Sequence, residues 1–212
     1  MVITYQGAQS FKVQFGETVL AFNPISKDSK LKSTKFGANI VLVSLNHEDF
    51  NGVENATFGE KSPFVITGPG EYEVGGIIIK GYLSESHYDG EEKFNTIYYV
   101  NFEGMNICFL GALDNEKLST EALEGLDNVD ILFVPIGGSG VLDAHTAYKL
   151  AVKLEAGIII PMSYGVEAEN NSLQTFIKEG GVQSVPPVEK LVIKKKDLEG
   201  RDGEIVVLKS SN

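Results

Sequence analysis

Residues 40–52 read IVLVSLNHEDFNG, an apolar run that passes directly into a short polar loop. A continuous apolar run of this kind is typical of a strand that is buried on both faces of its sheet. The loop places His47 and Asp49 just beyond the end of that strand. Since ligands in layered α/β folds bind beyond the carboxyl ends of strands, this stretch predicts both a covered sheet and the position of a candidate site.

The sequence around this stretch predicts strands in the first half of the chain and helices mainly in the second. Apolar and polar residues alternate over Phe11–Phe15, and Gly16-Glu17 marks a turn into the next strand. Further strand patterns are PFVIT (63–67), GGIIIKGYL (75–83), NTIYYVNF (95–102), MNICFL (105–110), DILFVP (130–135) and GIIIP (157–161). This order favours sheets that pack on each other with helices outside over a single doubly wound sheet.

Helical spacing of apolar residues predicts three helices, near residues 116–126, 143–155 and 172–179. Asp143 is the expected N-cap of the second helix, and either Asn171 or Ser172 that of the third. Residues 190–208 predict a final hairpin that closes the chain.

Length, charge and cysteine content exclude several classes of protein. The 212 residues predict one domain over 1–212, and the net charge of −11 argues against a protein that binds nucleic acid or anionic lipid electrostatically. The single cysteine, Cys108, excludes an internal disulfide framework and a CxxC zinc site. With no signal peptide and no apolar run of about 20 residues, the sequence predicts a cytoplasmic protein with no membrane partner.

Four loops that follow buried strands are expected to converge on one rim, which would hold the candidate site. These loops are residues 44–51, 111–115, 136–140 and 162–166, and they carry His47, Asp49, Asp114 and Ser163. The two other histidines are weaker candidates for the site: His87 lies in the polar turn SESHYDG, and His145 lies beside a predicted helix cap. The glycine-rich GPGEYEVGG (68–76) lacks the pattern of a phosphate loop and predicts a tight turn between strands.

Several segments together resemble the metallo-β-lactamase superfamily, in particular its branch of small metal-dependent hydrolases similar to ascorbate-6-phosphate lactonase. The segments are GAQSFKVQFGETVLAFNP (7–24), VLVSLNHEDFNG (41–52), PGEYEVGGI (69–77), NTIYYVNFEGMNICFLGAL (95–113), DILFVPIGG (130–138) and AYKLAVKLEAGIIIPMSYG (147–165). The resemblance implies an α/β (α+β) fold, a four-layer αββα sandwich of two facing sheets with helices outside.

The resemblance also implies a metal site of which this sequence retains only part. Active members carry HxHxDH after the second buried strand, and here the second His and the Asp are retained as His47 and Asp49. The positions of the other ligands hold Leu45, Phe50, Ala112 and Ser163, none of which is a competent zinc ligand. The mid-chain His aligns loosely with His87, and Asp114 lies two residues beyond Ala112.

Two hypotheses for the function follow from these substitutions. The first is a non-catalytic member of the family, with no metal cofactor and no assigned catalytic residue, that binds an unknown small molecule or protein or serves assembly. The alternative is a lactone or phosphoester hydrolase with zinc or another divalent metal in an altered site, built from His47, Asp49, His87 and one further donor. The sequence leaves homo-oligomer formation open.

Overall fold

Two β-sheets packed face to face form the centre of the protein, as described by a computed structural model. The structure describes residues 1–59, 62–165 and 171–211. In chain order the strands are β1 (Val2–Gly7), β2 (Ser10–Phe15), β3 (Thr18–Phe22), β4 (Ile40–Leu42), β5 (Phe64–Ile66), β6 (Gly70–Val74), β7 (Ile77–Ser86), β8 (Lys93–Phe102), β9 (Met105–Phe109), β10 (Ile131–Pro135), β11 (Ile158–Met162), β12 (Leu191–Val192) and β13 (Glu204–Ile205). The first sheet has the order β12-β1-β2-β3-β4-β5, and the second has the order β13-β11-β10-β9-β8-β7-β6.

Aromatic side chains from both sheets fill the space between them. The ring of Phe11 on β2 lies 4.5 Å from that of Phe133 on β10, and the ring of Phe22 on β3 lies 4.9 Å from that of Phe109 on β9. All four side chains are fully buried. Burial of each side chain contributes about 1.5–3 kcal/mol to the free energy of folding. This core therefore holds in place the strands whose ends carry the candidate site.

The three helices in the described part of the chain lie on the outer face of the second sheet. They are α1 (Thr120–Gly125), α2 (Ala144–Lys153) and α3 (Ser172–Glu179), and buried residues of all three join one apolar core with that sheet. A short 3₁₀ turn, Val53–Asn55, and its flanking loops cover the outer face of the first sheet. The predicted sandwich of two sheets with helices outside is confirmed, and none of the described helices is long and apolar enough to cross a bilayer.

The helix predictions hold best where a cap is present. Asp143 accepts the backbone N–H groups of His145 at 2.9 Å and Thr146 at 3.0 Å, so α2 begins as predicted. The first helix is shorter than expected because Ser119 caps it by accepting the N–H of Ala122, which delays its start to Thr120. The third helix begins at Ser172, and Asn171 makes no side-chain cap hydrogen bond.

The prediction of a closing hairpin over residues 190–208 is wrong. β12 pairs with β1 at the edge of the first sheet, whereas β13 pairs in parallel with β11 at the edge of the second. A 3₁₀ turn at Lys195–Leu198 separates the two short strands. Backbone hydrogen bonds next to each strand tie it to its own sheet. After β12, the carbonyl of Ile193 accepts from the amino group of Met1, and after β13, the N–H of Val206 donates to the carbonyl of Ile159.

The two-residue turn predicted at Gly16-Glu17 is confirmed, since Phe15 pairs with Thr18. A second two-residue turn, at Glu103-Gly104, joins β8 to β9, where Phe102 pairs with Met105. The glycine-rich segment 68–76 contains strand β6 and turns at Gly75-Gly76 into β7.

Candidate functional site

A cleft of about 1280 Å³ opens beyond the carboxyl ends of β4, β10 and β11. Its walls include residues 47–50, 137–140 and 163–165, which belong to three of the four loops expected to meet. The fourth loop, 111–115, contributes no lining residue, but its Asp114 is hydrogen-bonded to the lining residue His87. Val166, the last residue of the expected loop 162–166, lies outside the described residues. The structure therefore brings the predicted rim residues together on one side of the molecule.

His47 lies in this cleft in a fixed orientation. Its Nδ1 atom accepts the backbone N–H of Asp49 at 3.1 Å, which assigns the proton of the neutral ring to Nε2. The carboxylate of Asp49 is also 3.4 Å from Nδ1, but the N–H contact decides the tautomer because it has hydrogen-bond geometry. Nε2 faces Asp89, whose Oδ2 lies 3.7 Å away. The ring packs edge-on against Tyr88 with centroids 5.0 Å apart.

Asp49 is buried beneath His47 and is held by two hydroxyl groups. Ser29 donates to Oδ1, and Tyr88 donates to Oδ2 at 2.8 Å. These bonds fix the carboxylate relative to the imidazole, although each oxygen keeps a further lone pair. The retained His–Asp pair is thus an ordered group supported by side chains from two other segments.

Three of the four positions where the resemblance implies a missing metal ligand form one apolar cluster. Leu45, Phe50 and Ala112 pack together with Val141, and all four are buried. Tyr88 packs against this cluster, with its ring 4.7 Å from that of Phe50. The three positions are therefore neighbours in space, as the resemblance implies, and hydrocarbon fills the space between them.

The fourth such position, Ser163, belongs to a polar network behind the cleft. Its Oγ accepts a hydrogen bond from Gln9 Nε2 at 2.9 Å. The Oε1 atom of Gln9 accepts from Asn23, which also donates to Ser44 at 2.8 Å. Gln9 and Asn23 are fully buried, so neutral amides and hydroxyls build the floor beneath Ser163.

The other two histidines have different surroundings. His87 lines the cleft, and its hydrogen bond to Asp114 raises the pKa of the imidazole, because the carboxylate favours the charged form. The Nδ1 atom of the exposed His145 lies 3.1 Å from a carboxylate oxygen of Glu179, and His145 is not part of the cleft lining.

The donor atoms near His47 fit a divalent metal in kind, but they do not make a complete ligand set. Imidazole nitrogen and carboxylate oxygen are zinc ligands, and His47, Asp49 and Asp89 supply them. Within residues 1–59, 62–165 and 171–211, however, no three His, Cys, Asp or Glu side chains are grouped so that they could hold a metal ion. Sequence reasoning missed Asp89. Its only signal in the sequence was its place before Gly90 in a polar turn, and in the structure its backbone has a left-handed φ of 63°.

Comparison with known proteins agrees with the fold. The family described as a beta-lactamase superfamily domain matches residues 2–163. A metal-dependent hydrolase of Thermoplasma acidophilum is 27% identical over 168 residues, which are 68% of this chain and 72% of the relative. A metal-dependent hydrolase of Bacillus cereus is 26% identical over 196 residues, which are 77% and 86% of the two chains.

A solved structure resembles almost the whole molecule. It is that of a candidate zinc-dependent hydrolase of the metallo-β-lactamase superfamily from Thermotoga maritima, with a TM-score of 0.76 and 26% identity, covering 98% of this chain and 97% of the other. The names of these relatives correct the expectation of no metal cofactor: a metal ion, zinc in the case of the solved structure, is the cofactor that they imply.

Proposed function

Because the chain belongs to the beta-lactamase superfamily domain family, we propose that it is a metal-dependent hydrolase with an altered metal site, acting on a small molecule in the cleft. The observation that carries this proposal is the arrangement of His47 between two carboxylates, Asp49 and Asp89, on the wall of the cleft. The names of the metal-dependent relatives support it.

In this proposal a metal would be held by His47 through Nε2 and by carboxylate oxygens of Asp49 and Asp89. These side chains would have to move closer together, because no three such side chains among the described residues are grouped to hold a metal ion. Coordination through Nε2 would require the ring proton to move from Nε2 to Nδ1, where the Asp49 carboxylate, 3.4 Å away, would accept it in place of the present contact with the Asp49 N–H. A divalent metal bound there would polarise the scissile bond and lower the pKa of a coordinated water. Asp89 is the further donor that the altered site requires, in place of the donors lost at Leu45 and Phe50.

The surrounding residues position these donors. Asp49 lies beside Nδ1 and orients the imidazole ring, and the hydroxyl of Tyr88 orients the Asp49 carboxylate. The apolar cluster excludes water from one side of the site, and this strengthens electrostatic interactions within it. Such supporting contacts typically change metal affinity by about 10–100-fold. Lactones and phosphoesters are the proposed substrate classes.

A second candidate function is the binding of a small molecule without catalysis, and the apolar cluster favours it. Leu45, Phe50 and Ala112 replace polar donors by a packed hydrocarbon wall, which suits contact with an apolar part of a ligand. In this case the cleft and its polar rim would bind the small molecule without hydrolysing it.

The test measures metal content and hydrolysis in the same preparations. Protein purified without chelator is analysed for zinc, manganese and iron, then assayed on lactones and phosphoesters with each metal added. We expect metal-dependent turnover that disappears in His47→Ala and survives in the control His145→Ala, whose histidine lies outside the cleft lining. Tyr88→Phe should weaken metal affinity by about 10–100-fold. Absence of turnover with every metal, combined with ligand-induced stabilisation, would support the binding function instead.

A further inference from the structure

The loop that follows β10 carries two backbone N–H groups with no acceptor in the described part of the chain. Gly138 donates to the carbonyl of Leu142 at 3.1 Å, and Val141 donates to that of Gly138 at 3.0 Å, so these bonds close the loop. Between them, Ser139 and Gly140 line the cleft and their N–H groups make no hydrogen bond to described residues. Successive unpaired N–H groups in a turn form a concavity that favours anions.

Close contacts hold this loop in its conformation. Gly138, Ser139 and Gly140 have successive positive φ angles of 68°, 44° and 88°. A Cβ atom added at Gly140 would lie 2.6 Å from the carbonyl oxygen of His87, and one added at Gly137 would lie 2.2 Å from that of Ser163. The loop is therefore clamped between the His87 segment and the end of β11, so its N–H groups are fixed before any ligand arrives.

Two side chains that line the same cleft carry further donors. The Oγ atom of Ser163 accepts the amide N–H of the fully buried Gln9, which leaves its own hydrogen able to donate to a ligand. Lys30 also lines the cleft, and it makes no ion pair with any described residue.

We infer that Ser139, Gly140 and Ser163 form a subsite that binds an anionic oxygen group of the ligand, either a carboxylate or a phosphate. The inference rests on the proposed function for the identity of the cleft as the ligand site, and it adds the chemical class of the ligand. The hydroxyl of Ser163 and the two backbone N–H groups donate to the anion, and Lys30 contributes charge. The subsite orients the ligand so that the rest of it reaches toward His47.

The test is an NMR titration of the full ¹⁵N-labelled chain as purified, with no metal added. Inorganic phosphate and acetate are the two probes, and chloride at matched ionic strength is the control. We expect saturable shifts at the amides of Ser139 and Gly140, and the probe that binds more tightly identifies the group. Ser163→Ala should weaken binding by about tenfold, because it removes one hydrogen bond to a charged group.

Controls separate a local effect from misfolding and from the proposed hydrolysis. Lys30→Ala should also weaken binding, whereas Lys117→Ala, an exposed lysine outside the cleft lining, should leave it unchanged. Thermal midpoints equal to that of the unaltered protein show that the variants fold. Shifts confined to other residues, no shifts at all, or equal affinity in Ser163→Ala would overturn the subsite. Since no metal and no turnover are involved, that result is distinct from a failure to detect hydrolysis.

Discussion

Leu45, Phe50 and Ala112 show how three positions that resemble metal-ligand positions can be filled by packing. Their side chains contact one another and Val141, so a change at one of them alters the surroundings of the others. Phe50 is the largest member and is 1% exposed. Its ring also supports Tyr88, which in turn holds the Asp49 carboxylate. The cluster therefore links the stability of the loop to the geometry of the candidate donors.

Replacing Phe50 by Ala tests this role. Removal of a buried aromatic ring leaves a cavity, so we expect the free energy of unfolding to fall by about 3–5 kcal/mol. Phe94→Ala is the matched control, since Phe94 is 76% exposed and should change stability by less than about 0.5 kcal/mol. Denaturant unfolding of both variants measures the difference. A similar small effect in both would show that the apolar cluster is not tightly packed.

Sequence reasoning located the retained residues of the site but not all their partners. His47 and Asp49 were recognisable because they follow a buried strand at the family's spacing. Asp89 was not, because its proximity to His47 depends on how the 87–90 turn folds back over the cleft, and no local pattern encodes that approach. The same holds for Ser29, whose hydroxyl reaches Asp49 from a distant loop.

At the scale of elements, the length of a segment decided how well it could be predicted. The long strands β7 and β8 and the helix α2 have periodic patterns over 10 residues each, and they lie where the sequence indicated. Strands β12 and β13 have only two residues each, too few for a periodicity. Their pairing depends on the edges that the two sheets leave open, which explains why the expected hairpin does not form.

The N-cap of α2 offers a test at this scale. Burial alone would raise the pKa of Asp143, but hydrogen bonds from Thr146 and His145 outweigh it and lower the pKa below its usual value. The stabilisation is therefore present above the unfolded pKa of about 3.9 and is lost as the pH falls through the lower folded pKa. We expect Asp143→Ala to reduce stability by about 1 kcal/mol near neutral pH, and the loss to shrink at acidic pH.

Asp143→Asn is the control for that experiment, because its amide oxygen still accepts the N–H groups of the helix while its charge is absent. Thermal or denaturant unfolding over a range of pH measures both variants. An Asp143→Ala loss that stayed constant down to the lowest pH would contradict the role of the charged cap.

At the scale of the whole molecule, the C-terminal segment joins the two sheets. β12 extends the first sheet beside β1, and β13 extends the second beside β11. Between them, the side chain of Ile193 is 1% exposed and belongs to the core that both sheets share. The first and last parts of the chain thus contribute to the same core, which is the physical basis for expecting one domain over residues 1–212.

A single domain predicts a single cooperative unfolding transition, and Ile193 provides the test. We expect far-ultraviolet circular dichroism and tyrosine fluorescence to give coincident denaturant curves. Ile193→Ala should shift both curves together by about 2–5 kcal/mol, because the cavity lies in the core common to the two sheets. The adjacent Val192 is 60% exposed, so Val192→Ala is a matched control that removes little buried surface. Two separate transitions, of which Ile193→Ala moved only one, would show that the sheets unfold independently and would contradict the one-domain prediction.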